Sequence, residues 1–279
     1  MTKGVLIGRG RTAEVYAWGD GRALKLYYEG WPADEAEREA HTARVVYDSG
    51  AAAPAVEGVV TVDGRHGVVY ERVDGPSLLN KTTAQPWTLI RSARLLSELH
   101  VHMHTCRVSA LPSQRTRLEK KIQAAYPLPA ILKQAALDAL TQLPDDDALC
   151  HGDFHPDNVV MSQGGPIILD WVDATCGYPL ADVARTSLLM QMAALPPDLP
   201  GRRLIELGRA LWHHLYLRRY CQLRAVSSEQ VTAWMLPVVA ARLSEGIAEE
   251  EKLLIARVRA LLRKMALPEP FSPKRHSLA

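Results

Sequence analysis

The chain reads as an α+β protein of two unequal lobes: a small N-terminal antiparallel sheet lobe with one helix, and a larger, mainly helical C-terminal lobe. Three observations predict this. The first 75 residues or so carry the order strand, strand, strand, helix, strand, strand. After Asp74-Gly75-Pro76 the apolar spacing turns helical. A length of 279 residues suffices for two packed cores and is too short for several independent domains. The expected boundaries are 1–74 and 75–266 for the lobes, with 267–279 as a Pro-rich, polar, mobile tail.

Val5–Ile7 is apolar and leads into Gly8-Arg9-Gly10, and Glu14–Trp18 mixes β-branched and aromatic residues. Gly19-Asp20-Gly21 supplies a tight turn into a third strand, Ala23–Tyr28. Residues 33–48 are rich in helix formers, with Asp34 and Glu35 at the dipole-favoured start; Gly50 ends the helix and Pro54 blocks its resumption. Val56–Val62 and His66–Val73 form a hairpin around Asp63-Gly64. Leu89, Ala93, Leu96, Leu99 and Met103 then mark one helical stripe, followed by helices near 112–125 and 128–143. Residues 148–172 break the helical pattern, with short apolar runs at Asn158–Met161 and Pro166–Leu169. Helices return from about 179 to 266, and Pro237 starts or kinks one of them.

A net charge of +2 gives no electrostatic reason to expect a nucleic-acid partner. No apolar run is long enough to span a membrane, and the N-terminus lacks the apolar stretch of a signal peptide. Cys106, Cys150, Cys176 and Cys221 show no paired or metal-like spacing, so reduced thiols and a cytoplasmic location are expected. Of His100, His102 and His104, only the outer two share a helical face. Glu98, the nearby carboxylate, is spaced to meet His102 and not that pair, so no metal site is expected there.

The informative segment is His151-Gly152-Asp153-Phe154-His155-Pro156-Asp157-Asn158, followed by the apolar strand and carboxylate Ile167-Ile168-Leu169-Asp170-Trp171. A polar loop of this composition before a buried strand is hard to explain by packing alone. Phosphoryl transfer accounts for it. The transferred group is highly charged, and Mg²⁺, which takes hard oxygen ligands, neutralises that charge as it develops. Asp170 offers a carboxylate oxygen and Asn158 an amide oxygen. Asp153 can hydrogen-bond an acceptor hydroxyl, orient it and take its proton.

HGDFHPDN followed by LDW resembles the catalytic and metal-binding loops of the aminoglycoside phosphotransferase family, a branch of the protein-kinase-like fold that includes choline kinase-like enzymes. Gly177-Tyr178-Pro179-Leu180-Ala181-Asp182-Val183-Ala184 is similar to the GxPxxDxA segment that follows the metal loop there. The resemblance implies a small-molecule kinase moving the γ-phosphate of ATP or GTP to a hydroxyl. It implies Asp153 as base, Asn158 and Asp170 as Mg²⁺ ligands, and Asp182 as a buried structural acid. It runs from Gly8 to Ala184; beyond, the chain matches only in being helical.

The same resemblance gives the small lobe a nucleotide site. Gly8 and Gly10 stand in a phosphate-covering loop, where glycine lets backbone approach phosphate oxygens. Ala13 stands where protein kinases have a third glycine, and Val15 fits the residue covering the base. Lys25 resembles the lysine that pairs with the α- and β-phosphates. Its expected partner is Glu39, fifteen residues before Pro54, with Glu35 and Glu37 as competitors. Tyr70 to Gly75 looks like the interlobe hinge, where the Glu71 carbonyl and the Val73 amide bond the base edge.

Each element has a plain structural alternative. Gly8 and Gly10 can be an ordinary turn, Lys25 a solvated edge lysine and Glu39 a surface residue. His151 and His155 read as loop-bracing hydrogen-bonding groups, and Asp145-Asp146-Asp147 as a solvated turn. Trp212, Tyr216, Tyr220 and Trp234 can line an acceptor pocket, although helix packing is the commoner use. A protein kinase is disfavoured because the GYPLADVA segment follows Asp170 within a dozen residues, leaving no activation segment. A catalytically silent nucleotide-binding scaffold is the other alternative. The sequence leaves the acceptor and the oligomeric state open.

Overall fold

In the computed structural model, residues 3–192 and 201–266 are described; the expected tail, 267–279, lies outside them. The small lobe opens with β1 (Lys3–Arg9), β2 (Ala13–Trp18) and β3 (Arg22–Tyr27). Helix α1 (Ala33–Asp48) intervenes before β4 (Val56–Val62) and β5 (Arg65–Glu71). The five strands form one antiparallel sheet in the order β1-β2-β3-β5-β4.

Register decides which residues face α1. Ala13 pairs with Tyr27, Val15 with Lys25, and Lys25 in turn with Val68, so these side chains share one face. Tyr27, Ala13 and Val68 pack there on Ala36 and Ala40 of α1. The opposite face buries Trp18, Leu24, Leu26 and Val69. Lys25 is thus the charged member of a largely apolar face that looks towards α1.

The large lobe begins with α2 (Leu78–Ala84), a short helix that the apolar spacing does not reveal. Ser77 caps it, accepting from the Asn80 N–H. Helices α3 (Leu89–Met103), α4 (Gln114–Ala124) and α5 (Ala130–Thr141) follow close to the expected positions. The interval 148–172 resolves into short strands: β6 (Ala148–Cys150), β7 (Val159–Ser162) and β8 (Gly165–Ile168), with β9 (Thr175–Gly177) just beyond. Strand β7 pairs with β8, and β6 with β9. Helices α6 (Pro179–Met192), α7 (Arg202–Arg224), α8 (Ser228–Ala233), α9 (Met235–Arg242) and α10 (Ala248–Ala266) complete it. Pro237 sits in the first turn of α9, where its missing N–H costs no helical bond.

Trp212, Tyr216, Tyr220 and Trp234 are all buried in the large core, so packing is their use. Val46, Ala51 and Ala53, from the end of α1 and the loop after it, join that same core. The Ile168 N–H also donates to the Ala52 carbonyl at 2.6 Å. The small lobe is therefore anchored beside β8, whose end carries Asp170. Among the described residues no helix is long and apolar enough to cross a membrane.

Candidate active site

Lys25 Nζ lies 2.9 Å from Glu39 Oε1 and 3.3 Å from Asp170 Oδ1. Three elements distant in sequence meet on this ammonium. Glu39, 5 % exposed, is no surface residue. Tyr70 donates to its Oε1 at 2.7 Å, and the Tyr27 hydroxyl donates to Oε2. Both tyrosines come from the α1-facing side of the sheet, so the register that presents Lys25 also presents the donors that hold its partner. Of the competing acids, Glu35 pairs instead with Arg38. Burial pushes the Lys25 pKa down, but Glu39 and Asp170 more than reverse this and leave it raised. Burial beside Glu39 likewise raises both tyrosines, so they remain donors.

The β7–β8 hairpin brings Asn158 and Asp170 to one end. Val159 pairs with Ile168, and the Leu169 N–H donates to the Asn158 carbonyl at 2.8 Å. Asp170, just past the hairpin, adopts a left-handed conformation (φ 63°, ψ 62°), which aspartate tolerates better than most residues. Asn158 Nδ2 donates to the Asp153 carbonyl at 3.0 Å, which leaves its Oδ1 facing away as an acceptor. Asn158 is thus tied to Asp153 by one bond across the loop and to Leu169, the neighbour of Asp170, by another.

Asp153 is held from two sides. Arg185 Nη2 lies 3.0 Å from its Oδ1, and His155 Nε2 lies 3.6 Å from its Oδ2. Burial alone would raise its pKa; His155 and Arg185 overcome this and hold the carboxyl well below the usual carboxylate range. Gly152 has φ +80°, and a Cβ there would meet the Asp173 carbonyl at 2.6 Å, so this glycine is required by the fold.

The loop rests on Asp182, which is 1 % exposed. Its two oxygens accept the backbone N–H groups of His151 at 2.7 Å and Gly152 at 2.8 Å. His100 Nε2, at 3.1 Å, and His104 Nε2, at 3.5 Å, approach Oδ2. The outer nitrogens are engaged as well: Tyr216 lies 2.6 Å from His100 Nδ1 and Tyr220 lies 2.8 Å from His104 Nδ1. Neutral imidazoles protonated on Nε2 satisfy every bond, the tyrosine hydroxyls donating to Nδ1. Burial lowers the pKa of both histidines, to about 3 for His100. Burial opposes ionisation of Asp182, yet the bonds from His100 and His104 depress its pKa strongly.

The outer histidines do share a helical face, and the carboxylate they meet comes from α6, not from Glu98, which binds Arg219 at 2.8 Å. The four donors account for the His100, His104 and Asp182 cluster without an ion. His151 and His155 act as braces. His151 Nε2 donates to the Leu169 carbonyl at 2.9 Å, and His155 Nδ1 accepts from the Asp157 N–H at 3.3 Å. Asp145, Asp146 and Asp147 are engaged by Arg115 and Arg107.

The remaining expected residues belong to the small lobe and the segment after it. Gly8 pairs with Val15 next to the turn of the β1–β2 hairpin, and the Gly10 N–H donates to the Ala13 carbonyl at 2.8 Å. Neither glycine has a left-handed φ, and a Cβ would meet nothing closer than 3.7 Å at Gly8 or 3.5 Å at Gly10. Val15 lies beside Lys25 on β2. Glu71 ends β5, its N–H donating to the Ala55 carbonyl at 2.8 Å. Val73 lies past the strand, where its N–H meets no backbone acceptor among the described residues.

The model of the phosphotransferase enzyme family matches residues 3–223. The chain belongs to that family. Solved structures of low identity share its fold. A thermostable mutant of aminoglycoside phosphotransferase APH(4)-Ia is 16 % identical, with 96 % of this chain and 97 % of that one covered and a TM-score of 0.66. Amicoumacin kinase hAmiN is 14 % identical, with coverages of 96 % and 90 % and a TM-score of 0.60. Choline kinase from Cryptosporidium parvum Iowa II is 12 % identical, with coverages of 94 % and 89 % and a TM-score of 0.56. No curated protein matches by sequence. The fold of this phosphotransferase is therefore the expected protein-kinase-like one.

Several residues gathered around Lys25 and the Asp153 loop escape sequence reasoning. Arg185 stands one helical turn after Asp182 on α6, a spacing that could have pointed to it. Tyr27 and Tyr70 give a signal only once the strand register is known. Lys121 on α4 and Glu245 after α9 carry none, because only the packing of those helices brings them to the loop.

Proposed function

We propose that this phosphotransferase moves the γ-phosphate of ATP or GTP onto a hydroxyl of a small molecule, with residues 1–74 as the nucleotide lobe and 75–266 as the catalytic and acceptor lobe. The observation that carries the reading is the convergence of Glu39 and Asp170 on Lys25, which ties a sheet lysine, a helix acid and the loop acid into one cluster. Relatives of the same fold point the same way: one aminoglycoside phosphotransferase was solved with AMP-PNP and hygromycin B, and amicoumacin kinase with AMP-PNP, Ca²⁺ and Ami.

Lys25, fixed by Glu39, presents its ammonium to the α- and β-phosphates. Gly8 and Gly10 let backbone close over them, and Val15 covers the base. Glu71 and Val73 hold the base edge through backbone groups, the unspent Val73 N–H being the donor. The donor set fits a divalent cation, with a carboxylate oxygen on Asp170 and an amide oxygen on Asn158 whose nitrogen is already tied down. Mg²⁺ held there would neutralise charge on the phosphates during transfer.

Asp153 accepts a hydrogen bond from the acceptor hydroxyl and lines its oxygen up with the phosphorus. Arg185 and His155 make the carboxylate a weak base, so its first task is orientation; it takes the proton as the new O–P bond completes. Helix α6 begins at Pro179, directly after β9, so nothing here forms the peptide-holding segment of a protein kinase.

Nucleotide consumption with Mg²⁺, across aminoglycosides, macrolides, sugars and amino alcohols, tests the proposal. Asp153→Asn should cut turnover by about 10²-fold or more while nucleotide affinity is kept. Asp170→Ala should abolish Mg²⁺-dependent nucleotide binding. Tight binding with no turnover against any acceptor would instead identify a silent scaffold.

A further inference from the structure

Beside Asp153 lies a cavity of about 50 Å³, walled by α4, α6, α9 and the loop at Gly152. One water needs about 10–15 Å³ of such space, so it takes a group of a few heavy atoms. Four cations line it: Arg117, Lys121, Arg185 and Arg242. Their carboxylate partners are unevenly shared. Arg117 is bound by Asp173. Arg242 has Glu250 at 2.8 Å as well as Glu245. Arg185 bridges Asp153 at 3.0 Å and Glu245 at 2.9 Å.

Lys121 is left with Glu245 Oε1 at 3.6 Å, an oxygen that Arg185 also approaches, at 2.9 Å, and its Nζ makes no hydrogen bond among the described residues. Burial, with Arg185 and Arg117 nearby, lowers its pKa despite Glu245. A half-buried ammonium with its donors unspent can take a further anion. Arg185 bridges Asp153 and Glu245, the neighbour of Lys121, so a group at Lys121 and a hydroxyl at Asp153 would stand on the two sides of the Arg185–Glu245 pair.

We propose that the acceptor is a small hydroxy compound bearing an oxyanion, a carboxylate or a phosphate, held by Lys121 beside Arg117 and Arg185 while its hydroxyl meets Asp153. This rests on the phosphotransferase reading and names its substrate class. A polycationic acceptor would set its charge against Lys121, whose one acid, Glu245, is shared with Arg185 and Arg242.

The test is nucleotide consumption by the full chain with Mg²⁺ and ATP over a broad panel of hydroxylated compounds sorted by charge. The panel holds hydroxy carboxylates, each beside its own amide, polyol phosphates, each beside the free polyol, and cationic aminoglycosides. The best acceptors should be anionic, and loss of the anion should raise KM about tenfold or more, as removal of a charge-assisted contact does. The two anionic arms separate carboxylate from phosphate. For the anionic acceptor, Lys121→Gln should raise KM by a similar factor with a smaller change in kcat, and Lys121→Arg should restore it. Preference for neutral or cationic acceptors, or a KM untouched by Lys121→Gln, overturns this inference and leaves the phosphotransferase reading standing. ATP binding without transfer to any member overturns both.

Discussion

Asp182 offers the sharpest separation between a structural and a chemical role. It touches no reacting group, yet it receives the His151 and Gly152 N–H groups at 2.7 and 2.8 Å and two histidines beneath them. In Asp182→Asn one oxygen survives, and the amide nitrogen must face one of those donors. A hydrogen bond to a charged group contributes about 1.5–3 kcal/mol, and breaking a buried charge pair costs about 3–5 kcal/mol. The near-isosteric amide keeps part of this, so the expected loss is about 3 kcal/mol. In a chain of this size that lowers Tm by roughly 6–12 °C. Because His151 and Gly152 precede Asp153 directly, kcat should also fall, while nucleotide affinity should change little. Urea unfolding and steady-state kinetics on the same preparation would read both. A stability within about 0.5 kcal/mol of the parent, the range of an ordinary surface change, would refute the bracing role.

Other consequences are as concrete. Lys25→Met should weaken nucleotide binding about tenfold or more, since it removes a charge-assisted phosphate contact; an unchanged Kd by calorimetry would return Lys25 to a structural role. Gly8→Ala should leave Tm unaltered, because its Cβ would meet nothing closer than 3.7 Å, yet raise the Kd for ATP; unchanged affinity would reduce the loop to an ordinary turn. The buried histidines set the acid stability. An imidazole with an ordinary pKa of 6.5 binds its proton in the unfolded chain before it does so in the fold. This contribution is complete above 6.5 and is lost as pH falls from there through about 3, the value for His100. His100→Gln should flatten that slope in urea midpoints measured from pH 7 to pH 4.5, and an identical slope would refute the neutral tautomer.

The two-lobe architecture was legible because it is written in local patterns. The β-branched and aromatic residues of β2, the Asp-Gly turns, and the acidic start and Gly50 stop of α1 all act within a few residues. The short helix α2 and the pairing of β6 with β9 were not, because seven- and three-residue elements carry too few periods to show, and tertiary packing fixes them. The loop around Asp153 stood out for another reason: its polar groups precede a buried strand, and packing alone does not call for them.

By itself the sequence determined which groups are present: a loop acid and amide five residues apart, a carboxylate ending an apolar strand, a sheet lysine and a helix acid. Only the tertiary structure decided who meets whom. Glu39 rather than Glu35 or Glu37 reaches Lys25 because strand register points Lys25, Tyr27 and Tyr70 at one face of α1. His100 and His104 find Asp182, and Lys121 is left nearly alone beside Glu245, because helices far apart in the chain pack side by side. Backbone preference acts over a few residues, whereas charge and hydrogen bonding act across space, and folding alone sets those distances.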